Sequence, residues 1–387
     1  MNKGGPGVVK FEHLDKKPSF EQSFLFCAKW FAMTLKLSVL DQSVGVVGRA
    51  QDQIIRQTVE LAQSCEAMGY NRFWVSEHHS HPGILGTAPE ILMAAIAMKT
   101  TRIRIGSAGV MLPHYAALKV AEQFRVLEAL APGRIDIGLG RAPGSDRKTA
   151  QLLNPNQFAS DQFPQQILEL KAWLSGTPLP AGHPGHGVFA YPQSETCPQI
   201  WILGSSDYGA QLAAHFGLPY AFAHFITDGQ GVDQAMGLYH DGFKPSDTRS
   251  KPHATLCVWA LVAQTKEEAL KEFSSRARFK MDRNYGSISP LMTAQAAQSS
   301  FRPEEMGALQ QLQQKAIVGD PKEVGDHLRG LAERFDLDEI VVITWAHDPV
   351  VQQRSYALLA QELGLSPQSA PSSDAQRGES RDAVALV

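Results

Sequence analysis

Four clusters in this chain combine chemically capable side chains with small residues, and each follows a run that reads as a β-strand. The first is Glu77-His78-His79, with His81 close behind. A histidine exchanges protons near neutral pH, so His78 is the candidate acid–base residue and Glu77 would orient its second nitrogen. Two other readings stand beside that one. The cluster could open a metal set completed by His114 and His224, or His79 and His81 could simply hydrogen-bond beneath a loop. The second cluster is Ser107-Ala108-Gly109-Val110, where small residues would let a flat ligand lie against bare backbone, unless the segment is an ordinary glycine loop. The third is Arg141, after GRIDIGLG, a planar cation suited to gripping an oxyanion with two parallel bonds. The fourth is Gly204-Ser205-Ser206-Asp207, opening a helix. Its hydroxyls and free N–H groups would form an anion site, or its serine is a plain N-cap. Arg141 and the serine turn on neighbouring strands read together as a phosphate seat. Trp345, just past the last strand, would wall the pocket or pack at its rim.

These clusters need strands that end side by side. The run LKLSVL (35–40) reads as a first strand, and a helix with Ile54, Leu61, Cys65 and Met68 on one side follows it, stopped by Gly69. Strands then recur at NRFWVS, at 103–107 and at 134–139, each separated by an amphipathic helix. A helix over 163–174 and a Pro/Gly/His-rich insertion over 176–198 precede QIWILGSS, the fifth strand. YAFAHF, LCVWALV and EIVVIT are the sixth to eighth. Thr265 to Glu268 has capping-box spacing, and Asp320-Pro321 and Asp348-Pro349 are two further helix starts. Asn284 to Lys315 reads as an insertion with some helix. Eight strands alternating with helices define the α/β class and fit a (β/α)8 TIM barrel with insertions after strand four and strand seven. A doubly wound sheet would need a G-x-G-x-x-G turn after the first strand, and none is there; GLGRAPG at 138–144 misses that spacing by one.

Composition narrows the class further. The 387 residues are 43% hydrophobic and 19% charged, with a formal net charge of −3. That balance, without a long basic run, gives no reason to expect a nucleic-acid partner. No apolar run reaches the roughly 18–20 residues of a membrane helix, so no membrane partner is expected. Cys27, Cys65, Cys197 and Cys257 show no C-x-x-C pair and read as buried reduced thiols, which fits a cytoplasmic protein. Residues 1–33 read as a disordered N-terminal extension with Met33 as the natural start. Residues 34–366 form the barrel and 367–387 a disordered tail.

LSVLDQS, FWVSEHH, IGSAGVMLP, AEQFRVLEALAPGRIDIGLGRAPG and WILGSSDYGAQLAAHFGLPYAFA together resemble the bacterial-luciferase-like family of flavin-dependent monooxygenases, from about Leu35 to Leu365. The resemblance implies a barrel that binds FMN, supplied reduced by a separate flavin reductase, and uses it with O2 on a small-molecule substrate. By this likeness His78 is catalytic and Ala108-Gly109 is a non-proline cis peptide under the flavin ring, with Val110 beside it. Arg141 and Ser205 hold the phosphate, with Gly204, Ser206 and Tyr208 in the same loop. Luciferase itself has a carboxylate at the position of Gly204 and a threonine at that of Tyr208, so light emission is not implied. Asn284–Lys315 corresponds to a family segment that covers the site. Family members are commonly homodimers that pack through helices near the second and third strands, where Ala94, Ala95 and Ala97 would allow close approach. Two alternatives remain: an oxidoreductase using a deazaflavin, and a flavin-binding protein without turnover.

Overall fold

In the computed structural model, residues 35–156 and 158–366 are described. The expectations for residues 1–33 and 367–387, and for Cys27, lie outside them. Nine strands run β1 (Lys36–Asp41), β2 (Arg72–Val75), β3 (Arg104–Met111), β4 (Ile135–Gly140), β5 (Gln199–Gly204), β6 (Tyr220–Phe222), β7 (Ala254–Val262), β8 (Ile317–Gly319) and β9 (Glu339–Ile343). All pairings are parallel. Eight strands close on themselves in the order β1-β2-β3-β4-β5-β6-β7-β9, and β8 pairs only with β7 outside the ring. The expected barrel is present, and closure leaves its eight staves no free edge. The eighth stave is β9; the extra β8, three residues long, carries no readable periodicity.

Helices cover the outside. They are α1 (Gln51–Met68), α2 (Pro89–Ala97), α3 (Ala117–Leu130), α4 (Arg147–Leu153), α5 (Phe163–Ser175), α6 (Asp207–Phe216) and α7 (His224–Thr227). Then come α8 (Val232–Gly242), α9 (Lys266–Asn284), α10 (Ala294–Ser300), α11 (Met306–Lys315), α12 (Pro321–Arg334) and α13 (Pro349–Glu362). Three sequence-level caps form as expected: Thr265, Asp320 and Asp348 each accept a backbone N–H of the helix they open. Gly69 ends α1 at φ 89°, a left-handed conformation that suits glycine.

Strand alternation sorts the core into two layers. In β7, Leu256, Val258 and Ala260 join the shell between sheet and helices, while Cys257, Trp259 and Leu261 face the barrel interior. The same rule sends Ile135, Ile137 and Leu139 of β4 outward to the helices. Inward positions near the strand starts are charged rather than apolar. Arg72 Nη1 lies 2.7 Å from Asp136 and its Nε 2.9 Å from Glu339, while Trp74 Nε1 donates to Asp136 at 3.0 Å. Arg104 Nη2 completes the floor at 2.5 Å from Asp136. Breaking one such buried pair costs about 3–5 kcal/mol, because the remaining charge is left without a partner.

Two expectations need correction here. Val110 does not reach the barrel mouth; it is buried in the outer core layer. The pairing of β3 with β4 shifts by one between Ala108 and Val110, so Ala108 faces Gly138 while Val110 faces Leu139. That single unpaired residue, Gly109, turns every later side chain to the opposite face and brings Met111 to the mouth in place of Val110. Cys197 is exposed, whereas Cys65 and Cys257 are buried as expected. It sits in the loop before β5, outside the barrel wall.

Candidate active site

The carboxyl ends of the strands enclose a cavity of about 660 Å³, and the sequence-level candidates gather around it. Glu77, His78, Ala108, Gly109, Arg141, Gly204, Ser205, Ser206 and Tyr208 all line it, as does Trp345. Val110 is missing, for the reason given above, and so are Ser107, Asp207, His114 and His224.

Glu77 has a different job from the one expected of it. Its Oε1 lies 2.7 Å from His79 Nε2 and accepts from Tyr115 Oη at 2.7 Å, while Oε2 accepts the Met111 N–H at 3.0 Å. It therefore ties the ends of β2 and β3 together and orients His79, not His78. Alternation explains this: residues 77 and 79 share one side of the extended chain, and 76 and 78 the other. His78 Nδ1 accordingly sits 3.3 Å from Ser76 Oγ, which leaves Nε2 for the cavity. Burial, then the neighbouring His81, His79 and Arg283, push the His78 pKa down to about 4. The imidazole is thus neutral at pH 7, able to accept a proton or donate one N–H.

His79 and His81 also line the cavity. His81 Nδ1 accepts the Gly83 N–H at 3.1 Å, and His114 Nε2 bonds the Pro143 carbonyl at 2.8 Å. Among the described residues no three His, Cys, Asp or Glu side chains are grouped to hold a metal ion.

On the neighbouring staves the backbone is bare. The Ala108–Gly109 peptide is cis. A Cβ on Gly109 would lie 2.7 Å from the Gly138 carbonyl, so no larger residue fits there. Beyond β4, the Arg141 guanidinium lies 4.1 Å over the Tyr208 ring, which holds its plane. Arg141 has no carboxylate partner among the described residues. Opposite it, Ser206 caps the ten-residue α6 without using its side chain, so the hydroxyl and the first amides of that helix remain available. Gly204 packs against Gly209, where a Cβ would stand 3.4 Å from the other Cα, and this close contact sets α6 directly on the end of β5.

Sequence reading missed the wall formed by α9. Arg276, Phe279, Lys280 and Arg283 line the cavity together with Gln42. Their 3-, 4- and 7-residue spacing places them on one helix face, but the helix read only as a charged one.

A parallel barrel with its cavity at the carboxyl ends of the strands, and polar groups converging there from several staves, defines a barrel enzyme. Its family follows from comparison. The profile of the family described as luciferase-like monooxygenase matches residues 35–337, and the chain belongs to that family. The chain is 35% identical over 329 residues to N-acetyl-S-alkylcysteine monooxygenase of Bacillus subtilis, which spans 84% of this chain and 97% of that protein. The crystal structure of apo-MsnO8 superposes with a TM-score of 0.78 at 35% identity, covering 86% of this chain and 100% of the other. The FMN-bound oxygenating constituent of 3,6-diketocamphane monooxygenase from Pseudomonas putida superposes at 0.63 and 17% identity, over 85% and 97% of the two chains. That last likeness is one of fold.

Proposed function

We propose that this protein is an FMN-dependent monooxygenase that oxidises a small or medium organic substrate with O2, its reduced flavin supplied by a separate reductase. The observation that carries this reading is the pairing of an unpartnered Arg141, stacked on Tyr208, with the free serine turn that opens α6. Guanidinium, hydroxyls and helix amides converge as a dianion would require. The fit extends to the ring: the bare Ala108–Gly109 backbone lies on the next stave, and the buried Gln42 Oε1 in the cavity wall has no partner among the described residues.

Bound reduced flavin supplies the electrons that activate O2 for transfer of one oxygen atom to the substrate. The chain supplies position and proton control. Neutral His78 holds or moves a proton at Nε2, and Glu77 keeps β2 and β3 in register beneath it. Phe225, Phe279 and Ile288 give the cavity an apolar wall, of the kind that limits water at a reacting centre. The name of the B. subtilis relative, whose substrate is a small thioether, supports an organic substrate of that size. Two copies of the chain are proposed to associate, because Ile91 and Met98 at α2 and Val126 and Leu130 on α3 are exposed.

Titration with FMN and with riboflavin tests the seat. FMN should bind more tightly, and Arg141→Ala should weaken it by about 10- to 100-fold, the value of one or two charge-assisted bonds, with little change for riboflavin. Equal affinity for the two flavins, or binding of a deazaflavin in place of FMN, overturns the reading.

A further inference from the structure

The wall across from the phosphate seat carries a buried cation that the proposed reaction leaves without a task. Round the ring, β7 stands four staves from β3, so the helix that follows β7 stands across the mouth from Ala108–Gly109, while Trp259 lines a smaller pocket behind Arg276. A flat ligand anchored between β3 and β5 therefore leaves the β7–β9 side for a second molecule. Arg276 of α9 lines that side and is only 8% exposed. Its guanidinium lies 4.4 Å from the Trp259 ring and 5.1 Å from the Trp345 ring.

Among the described residues Arg276 has neither a hydrogen bond nor an ion pair. The carboxylate whose field reaches it, Asp228, is held by Lys280 Nζ at 2.6 Å. Arg283, two turns on, also lines the cavity, has no carboxylate partner among the described residues and adds to the positive potential. Aromatic faces stabilise a cation, but they occupy the faces of the guanidinium and take none of its five N–H donors. A buried charge with open donors is costly unless something fills them. Trp345 Nε1, buried and also without a partner, offers one more donor on the same wall.

We propose that Arg276 is the receptor for a carboxylate group of the substrate, which it orients toward the flavin side of the cavity. A carboxylate matches the fork of the guanidinium with two parallel bonds and its single charge. The proposal rests on the flavoenzyme reading in one respect only, that the second occupant of the cavity is the substrate.

Trp259 and Trp345 flank the site, so tryptophan fluorescence reads it directly, with calorimetry as the second measure. Hexanoate and hexanamide, equal in length, are titrated into the protein with and without FMN. Hexanoate should bind about tenfold or more tightly than the amide, as a charge-assisted pair implies. Arg276→Gln should abolish that preference and Arg276→Lys recover part of it, with FMN affinity changed by less than about threefold. The wild-type comparison stands alone should the glutamine variant fail to fold. Amide bound as tightly as hexanoate, saturable binding of neither, or a preference that survives Arg276→Gln overturns the proposal. So does loss of FMN binding in Arg276→Gln, which would make the arginine a cofactor ligand. A protein that prefers hexanoate through Arg276 yet binds no flavin leaves this site standing and removes the flavoenzyme reading; the converse result removes only the carboxylate.

Discussion

At the scale of single residues the site turns on which nitrogen and which carboxylate face inward. Glu77 and His78 are adjacent, yet they serve opposite sides of the chain: Glu77 holds His79, and His78 keeps Nε2 without a partner among the described residues. Its pKa near 4 has a direct kinetic meaning. A step that needs the neutral imidazole should run at full rate through neutral pH and fall only as the pH approaches 4. Arg283→Gln removes one of the charges that hold that value down, so the acid limb should move upward. His78→Gln should lower FMNH2-dependent substrate oxidation by about 10²–10⁴-fold while FMN still binds, as loss of a proton-transfer group implies. Unchanged turnover in that variant would remove it from the reaction, and an NMR titration of His78 near 6.5 would show that burial does not hold the ring neutral.

At the scale of elements, the segment between β7 and β8 is folded over the mouth, and Asn284 and Ile288 reach the cavity. Backbone bonds of Leu291 to Gly45 and Val47 tie it down, and so does one carboxylate. Both oxygens of Glu305 lie 3.1 Å from Arg278 Nη1 of α9, and Oε2 accepts the Arg302 N–H at 2.9 Å. Hydrogen bonds from Arg302, then from Arg278, hold the Glu305 pKa down to about 2 from 4.5. A depressed carboxylate stabilises the fold above its ordinary value and loses that contribution as pH falls toward the folded one. Hydrogen exchange over residues 285–316 should therefore quicken between pH 4.5 and pH 2. Glu305→Gln should quicken it already at neutral pH, and protection equal to wild type there would show that the segment is held some other way.

The barrel formed by the described residues is a ring with a charged floor and a mouth at the other end. Arg72, Arg104, Asp136 and Glu339 close the amino end of the barrel, so the cavity opens at one end only. Outside the ring, α2 and α3 present Ile91 at 67% exposure and Met98 at 69%, beside Val126 and Leu130. Of the small residues expected at a dimer contact, Ala95 is exposed but Ala97 is buried in its own core, so bulky side chains and not a small-residue stripe would make the contact. Light scattering should give twice the 42.3 kDa of the chain, and Ile91→Asp with Val126→Asp should reduce it to one chain. A wild-type monomer would discard the dimer.

Much of this was legible in residue order, because period-two strands, helix caps and strand-end glycines are local signals. The eight staves, the caps at Thr265, Asp320 and Asp348, the histidine, the small pair and the arginine after β4 all follow from neighbours in the chain. What the chain order could not settle was direction and distance. One unpaired residue at Gly109 turned Val110 away from the mouth, and the pleat gave Glu77 to His79. The floor joins residues as far apart as Ser38 and Glu339, and the Arg276 wall needs a helix after β7 to meet a tryptophan after β9. Those contacts exist only because closing the barrel brings its first and last staves side by side, and closure leaves no mark on any short stretch of sequence.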